Sequence, residues 1–513
     1  MVHPVSARRV IKLCVFFTGL AGIVTEYTLS TVASYLLGDT IFQWALTISF
    51  FLFAMGMGSR WTRYIDKDET TWFVIVESGL SLAVASAIPV AYGMAPWPNR
   101  LPWFLYGWTL LIGALIGMEI PLVVRINSLY EQLALNLSNI LEKDYLGALL
   151  GGLFFAFLGL PYLGMARLPF LLGILNLAVA FAFAITFRNE VKKTGFFAII
   201  LGLFALVVLY PLARPIEIWS EQKRYIDKII YFEQSRYQKI VMTQWYDYFW
   251  LYLDGHVQFS SLDEYRYHEC LVHPAMLAST SVENVLVLGG GDGLAVREIL
   301  KHRGVKRVVL VDIDPAVTRL AKTHPLLVDL NHGSLKNPKV GVVNDDAAHF
   351  IRTPKPEYPL LWNVIIVDLP DPRKPSLERL YSLEFYQGCK NRLSRDGIMV
   401  TQATSPVFTS KAFWCIEKTM RKAGFNTLPY HAYVPTFGDW GWVMGTMLPL
   451  DIVKKRLSTA DLSRLSLRYL NKELLQSIFL FSPADMIDSS TVEVHSDFDP
   501  VLYRYYQEGK WFD

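Results

Sequence analysis

The chemistry available to this sequence is concentrated in a short turn, DLPDP, at residues 368–372. Asp368 and Asp371 lie three positions apart in it, directly after the apolar run 364–367, which predicts a buried strand. Two prolines stiffen the turn and hold both carboxylates on one side of it. Because open α/β sheets bind ligands beyond the carboxyl ends of their strands, both aspartates are candidates to accept a proton or bind an ammonium group.

A glycine-rich turn, GGGDG at residues 289–293, follows a second apolar run. Consecutive glycines, including Gly289 and Gly291, let the backbone turn sharply and leave no Cβ in the way of a ligand. Asp312 ends the next strand about twenty positions later, where a carboxylate can accept both hydroxyls of a ribose. Asp292 would repel a pyrophosphate, so the predicted ligand is a cationic or neutral nucleoside, such as an S-adenosyl sulfonium compound.

Further strands are needed to hold these turns at one edge of a sheet. An apolar run at 340–343 predicts one of them, and it leads to Asp346, whose carboxylate could accept a hydrogen bond from an adenine amino group. Runs at 364–367 and 398–401 and a region around 442–447 predict the remaining strands. The fold predicted for this part of the chain is a Rossmann-like, methyltransferase-type α/β domain.

Composition separates this domain from the rest of the chain. The sequence has 513 residues, of which 52% are hydrophobic, and this content indicates a portion embedded in a membrane. A net charge of +3 gives no reason to expect nucleic acid as a partner. Four cysteines without CxxC spacing indicate neither a zinc site nor a disulfide framework, so no metal is expected.

The first 213 residues alternate long apolar runs with short polar turns and predict a multi-pass transmembrane domain. Small residues punctuate these runs and suit close helix packing in lipid. The loop 127–144 predicts an amphipathic surface helix. Seven membrane spans are predicted, at residues 11–37, 41–58, 72–93, 103–124, 145–164, 168–187 and 195–213.

Lysine and arginine cluster in alternate loops, which predicts a cytoplasmic N-terminus. Seven spans would then place the C-terminal domain outside the cell. Either one of the seven segments does not cross, or the C-terminal domain faces outward. Arg214, Lys223 and Arg224 after the last span favour the first alternative, with a cytoplasmic C-terminal domain at the inner membrane. Glu26, Glu77 and Glu119 lie within the spans, either as structural hydrogen-bonding groups or as a lining for a cation or a proton.

The rest of the chain divides into three predicted parts. Residues 214–262 form a charged linker and a small antiparallel β module, indicated by alternating apolar and polar residues from position 230. The α/β domain spans 263–450. The tail, 451–513, is predicted to be helical over 462–479 and irregular afterwards.

Residues 230–447 resemble the spermidine synthase, or polyamine aminopropyltransferase, family, and the preceding spans resemble its membrane-fused bacterial branch. GGGDG, DLPDP and the ordered motif L-D-G-x-x-Q followed by D-E-x-x-Y-H-E are very specific in combination. The matching stretches are FEQSRYQKI, YLDGHVQFSSLDEYRYHE, VLVLGGGDG, REILKH, VDID, NDDA, VIIVDLPDP, YSLEFY and QATSP.

The resemblance implies roles for individual residues. The proton acceptor is expected to be Asp368. Residues expected to hold decarboxylated S-adenosylmethionine, a co-substrate rather than a cofactor, or methylthioadenosine are Gln238, Gly289, Gly291, Asp312, Asp346, Ala347 and Pro375. Residues expected to contact the polyamine are Tyr267, His268, Asp292 and Asp371. A homodimer or larger assembly is also implied. Taken singly, Tyr267 and His268 could be core residues, Gln238 a strand residue and Asp346 a helix cap.

The implied reaction has a clear requirement for a base. A primary amine with a pKa of about 10 is mostly protonated at neutral pH, and its ammonium form cannot attack the carbon beside a sulfonium. Putrescine is the expected acceptor. Three departures from the family bear on it. Phe437 stands where soluble members carry a tyrosine, and Arg373 and Lys374 follow DLPDP where a glycine is usual. The second strand ends in Asp312 where the family has the longer glutamate, although the role of the residue should be the same.

Two other functions fit parts of the sequence. An S-adenosylmethionine-dependent methyltransferase would explain the glycine turn and Asp312, but would not need the pair Asp368 and Asp371. A membrane polyamine sensor or transporter, with a C-terminal domain that only binds, would explain the acidic residues within the spans.

Overall fold

The computed structural model describes residues 4–38 and 40–510 and divides into two compact units, Met1–Lys228 and Ile229–Asp513. In its described residues the first unit contains seven helices that are long and apolar enough to cross a membrane. They are α1 (Pro4–Leu37), α2 (Thr40–Trp61), α3 (Glu69–Met94), α4 (Leu101–Asn127), α5 (Leu133–Phe154), α6 (Gly164–Thr186) and α7 (Lys193–Gln222).

One prediction for this unit is wrong. The loop 127–144 does not form a separate surface helix, because α5 starts at Leu133 and continues into a π-helical segment, Phe155–Leu163. Glu142, Lys143 and Asp144 therefore lie near the middle of α5, and Glu131 precedes it.

Glycines bring the long helices into close contact. A Cβ on Gly147 of α5 would lie 2.1 Å from the carbonyl oxygen of Phe16, and one on Gly151 would lie 2.6 Å from that of Leu20. The later residue of α5 contacts the later residue of α1, so the two helices run in the same direction. Between α3 and α6 the order reverses, since Phe73 stacks on Phe183 whereas the later Ser81 bonds the earlier Gly173. A parallel pair α1–α5 and an antiparallel pair α3–α6 are what helices of alternating direction along the chain would give.

The first unit also buries ionisable groups. Glu26, Glu77 and Glu119 are all buried. Within the described residues, neither carboxylate oxygen of Glu77 has a hydrogen-bond partner, and one oxygen of Glu119 also lacks one. Burial of this kind excludes contact with lipid for all three groups.

The second unit begins with a four-stranded sheet in the order β1-β2-β3-β4. Its strands are β1 (Lys228–Gln234), β2 (Lys239–Trp245), β3 (Tyr248–Leu253) and β4 (His256–Ser260). Apolar residues of this sheet pack in one cluster with Leu294, Val317 and Leu320 of the α/β domain. The packing holds the start of β2 beside the main sheet.

A seven-stranded sheet forms the centre of the second unit, in the order β10-β11-β9-β8-β5-β6-β7. The strands are β5 (Asn284–Gly289), β6 (Arg307–Asp312), β7 (Val340–Asn344), β8 (Trp362–Asp368), β9 (Leu393–Gln402), β10 (Asn426–Val434) and β11 (Gly438–Thr446). Strands β5 to β9 pair in parallel, while β11 pairs antiparallel with β9 and with β10.

Alternate residues of the parallel strands enter two separate cores, one on each face of the sheet. In β5, Val285 and Val287 join one core, and Leu286 and Leu288 join the other. The helices that accompany the sheet are α8 (Glu264–Ala278), α9 (Leu294–Leu300), α10 (Pro315–Thr323), α11 (Pro325–Leu330), α12 (Ala347–Arg352), α13 (Pro375–Glu378), α14 (Leu383–Asn391) and α15 (Ser410–Lys422).

Strand register brings the chemistry-bearing turns together. Gly289 pairs with Asp368, and Asp312 pairs with Asn344, so these residues all lie at the carboxyl ends of the parallel strands. The chain order reverses between β5 and β8, because β6 and β7 extend one side of β5 and β8 lies on the other. Such a switch point leaves a crevice between the turns that follow the two strands.

The tail does not contain the helix predicted over 462–479. It forms α16 (Leu450–Thr459), α17 (Lys472–Ser477) and α18 (Leu502–Gln507). Between the first two of these, the buried carboxylate of Glu269 accepts three backbone N–H groups, those of residues 468–470, at 2.7–2.9 Å. Apolar tail residues enter both cores of the sheet, so the tail is part of the α/β fold.

Candidate active site

A cavity of about 380 Å³ lies at the carboxyl ends of the parallel strands. Pro375 begins α13 and is not in the cavity wall formed by the described residues, although its neighbours Lys374 and Ser376 are. The structure brings the other predicted site residues together in this wall: Gln238, Tyr267, His268, Gly289, Gly291, Asp292, Asp312, Asp346, Ala347, Asp368 and Asp371.

The turn at 289–293 must contain glycine because its backbone packs directly against the DLPDP turn. Gly289 has a φ of +83°, and a Cβ there would lie 2.0 Å from the carbonyl oxygen of Asp368. The N–H of Gly290 donates to the same oxygen at 3.0 Å. Only glycine tolerates this combination of conformation and contact, so the two turns form one rigid wall.

Asp312 is fixed by backbone donors. Its Oδ2 accepts the N–H of Gly291 at 3.0 Å, and its Oδ1 accepts the N–H of Asp314 at 2.8 Å. Burial raises the pKa of Asp312 to about 6, while the hydrogen bonds from the N–H groups of Asp314 and Gly291 oppose the increase. A carboxylate held in this way keeps acceptor capacity for ribose hydroxyls.

Gln238 is positioned by a residue that the sequence did not single out. The buried carboxylate of Asp314 accepts the side-chain amide of Gln238 at 3.0 Å and the hydroxyl of Ser235 at 2.6 Å. Its other oxygen caps α10 by accepting the N–H of Ala316 at 2.9 Å. The sequence signal was an aspartate directly before Pro315, a typical helix start.

Asp346 both caps a helix and lines the cavity. It accepts the N–H of His349 at 2.9 Å, which caps α12, and it binds Arg379 at 2.5 Å. The helix-cap interpretation of Asp346 is therefore correct, and its place in the cavity wall is an additional property. Ala347, the first residue of α12, lies beside it.

Asp368 ends β8 and is held by Tyr267 of α8. The tyrosine hydroxyl donates to Oδ1 of Asp368 at 2.7 Å, and its ring packs against Phe437 and Trp442. Burial raises the pKa of Asp368 to about 6, and the charge of Asp292 adds to the increase, while His268 and the Tyr267 hydroxyl oppose it. Asp368 is therefore a stronger base than an exposed carboxylate and is still ionised at neutral pH.

His268 belongs to a buried chain of charged groups. Its Nδ1 lies 2.9 Å from the carboxylate of Glu264, which also binds Arg297 through two bonds of 2.8 and 2.9 Å. Burial alone would lower the pKa of His268, but Glu264 reverses this and raises it to about 9. Sequence reasoning missed Glu264 and Arg297, because no local motif reports a contact between residues 33 positions apart.

Asp292 and Asp371 differ in their surroundings. Asp292 accepts only a local bond in the described structure, from the N–H of Leu294 at 2.8 Å, and burial raises its pKa. Asp371 has both oxygens engaged: Gln402 binds one at 3.2 Å, and Arg373 and Tyr506 each bind the other at 3.0 Å.

The cavity therefore combines Asp312 and Asp346, which have the acceptor capacity that a nucleoside requires, with a second pair of carboxylates, Asp292 and Asp368. Such a cavity suits a cationic nucleoside beside an amine, one of whose protons Asp368 could accept.

The chain is similar to several known proteins. Residues 264–451 match the family model described as spermine/spermidine synthase domain. Polyamine aminopropyltransferase 2 of Aquifex aeolicus is 43% identical and covers 98% of this chain and 99% of its own length. Polyamine aminopropyltransferase of Leptospira interrogans is 40% identical, with 97% and 98% covered. The solved spermidine synthase of Thermotoga maritima is 26% identical over 50% of this chain and 85% of that chain, with a TM-score of 0.44.

The fold and its cavity define a transferase that uses an S-adenosyl-type donor. The chain belongs to the polyamine aminopropyltransferase family. It is an enzyme of polyamine biosynthesis, and decarboxylated S-adenosylmethionine is its co-substrate.

Proposed function

We propose that the enzyme transfers the aminopropyl group to putrescine, giving spermidine and methylthioadenosine. The observation that carries this proposal is that Asp292 and Asp368 line one cavity beside Asp312. In the proposed arrangement Gln238, Asp312 and Asp346 hold the nucleoside of the donor. The glycine turn and Ala347 then lie against its ring system, and Pro375 shapes the segment that covers it.

The bond changes in the reaction balance as follows. The neutral amine nitrogen forms a bond to the propyl carbon next to the sulfonium, and the carbon–sulfur bond breaks with its electrons going to sulfur. Methylthioadenosine leaves as a neutral thioether, and the surplus proton on nitrogen passes to Asp368. The enzyme contributes alignment of nitrogen, carbon and sulfur, together with a base.

Asp368 is the proposed base because of its position and its surroundings. The hydroxyl of Tyr267 fixes its orientation at 2.7 Å, and burial makes it more basic. Asp292 is the proposed partner for an ammonium group, since its half-buried carboxylate lies in the cavity wall and accepts a hydrogen bond from a backbone donor, the N–H of Leu294. Tyr267 and His268 complete the amine side, with Asp371 behind them.

Product analysis tests this function. Purified full-length enzyme is incubated with decarboxylated S-adenosylmethionine and putrescine, and nucleosides and polyamines are separated. Methylthioadenosine and spermidine in equal amounts support the proposal. S-adenosylhomocysteine formed from S-adenosylmethionine would instead identify a methyltransferase, and binding without turnover would identify a sensor.

The pH dependence of the reaction should report Asp368. With saturating donor, kcat/KM for putrescine is expected to rise with pH through about 6, since Asp368 must be ionised. His268→Gln removes a positive charge that lowers the pKa of Asp368, so this limb should move upward by about half a pH unit or more. An acid limb that stays in place in the variant would contradict the assignment.

We propose that the first unit spans the inner membrane through all seven long helices. Close glycine contacts and alternating helix directions support this proposal. Seven crossings put the N-terminus and the catalytic unit on opposite sides of the bilayer. Because the donor is made inside cells, the catalytic unit is proposed to face the cytoplasm, against the positive-inside count. A reporter active only in the cytoplasm, fused to the C-terminus, should be active; an inactive fusion beside an active N-terminal one would reverse the orientation.

We also propose a homodimer or larger assembly. The turn between β2 and β3 exposes Trp245 and Tyr246, and neighbouring exposed aromatic residues favour a protein interface. Light scattering of the detergent-solubilised enzyme should give a protein mass of at least two chains.

A further inference from the structure

The amine side of the cavity contains a fixed positive charge. Arg373 lines the cavity, and its Nη2 donates to Asp371 Oδ2 at 3.0 Å. Its Nε donates to the hydroxyl of Tyr506 at 3.1 Å, and that hydroxyl donates to the same Asp371 oxygen at 3.0 Å. The three groups form a closed triangle, so the guanidinium has a defined position.

The accessible charge in this triangle is the guanidinium. The Asp371 side chain is 3% exposed, whereas that of Arg373 is 27% exposed. An ammonium group entering the cavity therefore meets the cation before the carboxylate. Both oxygens of Asp371 already accept hydrogen bonds, since Gln402 binds its Oδ1 at 3.2 Å.

The neighbouring charged groups leave this cation in place. Lys374, the next residue, is paired with Asp254 at 3.0 Å. His256 lines the cavity close by, and burial together with Arg373 and Lys374 lowers its pKa to about 4, so it is neutral. Lys374 and Asp254 therefore balance each other's charge, and a neutral His256 does not offset the charge of Arg373.

We propose that Arg373 is a specificity-determining residue that restricts the acceptor to short diamines. Putrescine keeps one ammonium group after its attacking nitrogen loses a proton, and Asp292 can bind that group. Spermidine keeps two, and the additional one must approach the guanidinium. The inference rests on the proposed function and adds to it the residue that excludes longer polyamines.

The test compares two acceptors in the full-length enzyme. Methylthioadenosine formation is measured with putrescine and with spermidine for the wild type, Arg373→Gln, Arg373→Lys and Arg464→Gln. Arg464 is a matched control, since it is highly exposed and its guanidinium lies 3.9 Å from the carboxylate of Asp461. The quantity compared is the ratio of kcat/KM for spermidine to that for putrescine.

Removal of the charge in Arg373→Gln should raise this ratio about tenfold or more, as like-charge repulsion at a binding site acts on partner choice. Arg373→Lys keeps the charge and should retain a ratio near that of the wild type, as should Arg464→Gln. An unchanged ratio in Arg373→Gln, with putrescine still converted, overturns the inference and leaves the proposed function intact. Absence of methylthioadenosine from the wild type with either amine overturns both.

A measurement on the wild type alone gives an independent test. Raising the salt concentration from about 0.02 M to about 0.5 M shortens the screening length several-fold, so discrimination against spermidine should weaken. If the ratio of kcat/KM for spermidine to that for putrescine does not change with salt, the discrimination is not electrostatic. This result does not depend on whether the variants fold.

Discussion

Asp368→Asn is expected to lower kcat by about 10²–10⁴-fold, the range in which a positioned general base contributes. The amide has the shape of the carboxylate but cannot take the proton from the attacking amine. Its oxygen can still accept the hydroxyl of Tyr267, which lies 2.7 Å from the carboxylate in the structure. Affinity for methylthioadenosine, which contains the nucleoside of the donor, should therefore change little. Calorimetry would measure this affinity.

Asp396→Asn is a suitable control for this variant. Asp396 lies in the first half of β9, toward the opposite edge of the sheet, and accepts the hydroxyl of Thr280 at 2.8 Å. The same chemical change there should leave kcat within about twofold, the range of ordinary surface substitutions. Equal losses of turnover and donor affinity in Asp368→Asn would argue that the residue holds the cavity together and is not the base.

The site was largely predictable because its elements are local in the sequence. GGGDG, VDID and DLPDP each directly follow an apolar strand, so parallel pairing was enough to bring Asp292, Asp312 and Asp368 to one edge. The groups that fix these side chains come from distant positions. Tyr506 reaches Asp371 across 135 residues, from a tail without a recognisable motif.

Two elements of the fold escaped prediction for physical reasons. Strand β10 contains Pro429, which disfavours a strand within a sheet, but β10 is an edge strand and tolerates it. The tail segment around 468 has apolar residues at helical spacing, yet Glu269 captures three successive backbone N–H groups there. A helix needs those N–H groups for its own bonds or for caps, so the buried carboxylate holds the segment in another conformation.

Arg297→Met should lower the free energy of unfolding of the catalytic unit by about 3–5 kcal/mol, since it removes a buried cation that binds two buried carboxylates. Arg297 binds Glu264 through two bonds and Glu298 through a third of 2.8 Å, and all three side chains are buried. For a unit of this size the melting temperature should fall by roughly 6 °C or more. Differential scanning fluorimetry on the detergent-solubilised chain would measure it.

Lys306→Met provides the matched comparison, because it removes one partner of an exposed ion pair. Lys306 lies 2.7 Å from Glu283, but the two side chains are 69% and 47% exposed, so the expected loss is about 1 kcal/mol or less. Equal melting temperatures for the two variants would contradict a stabilising role for the buried network.

The difference in melting temperature between the wild type and Arg297→Met should also depend on pH. Burial alone would raise the pKa of Glu264, but His268 and Arg297 hold it below its ordinary value. This stabilisation is present above the ordinary pKa of a glutamate and is lost as the pH falls, so the gap between wild type and Arg297→Met should narrow in acid.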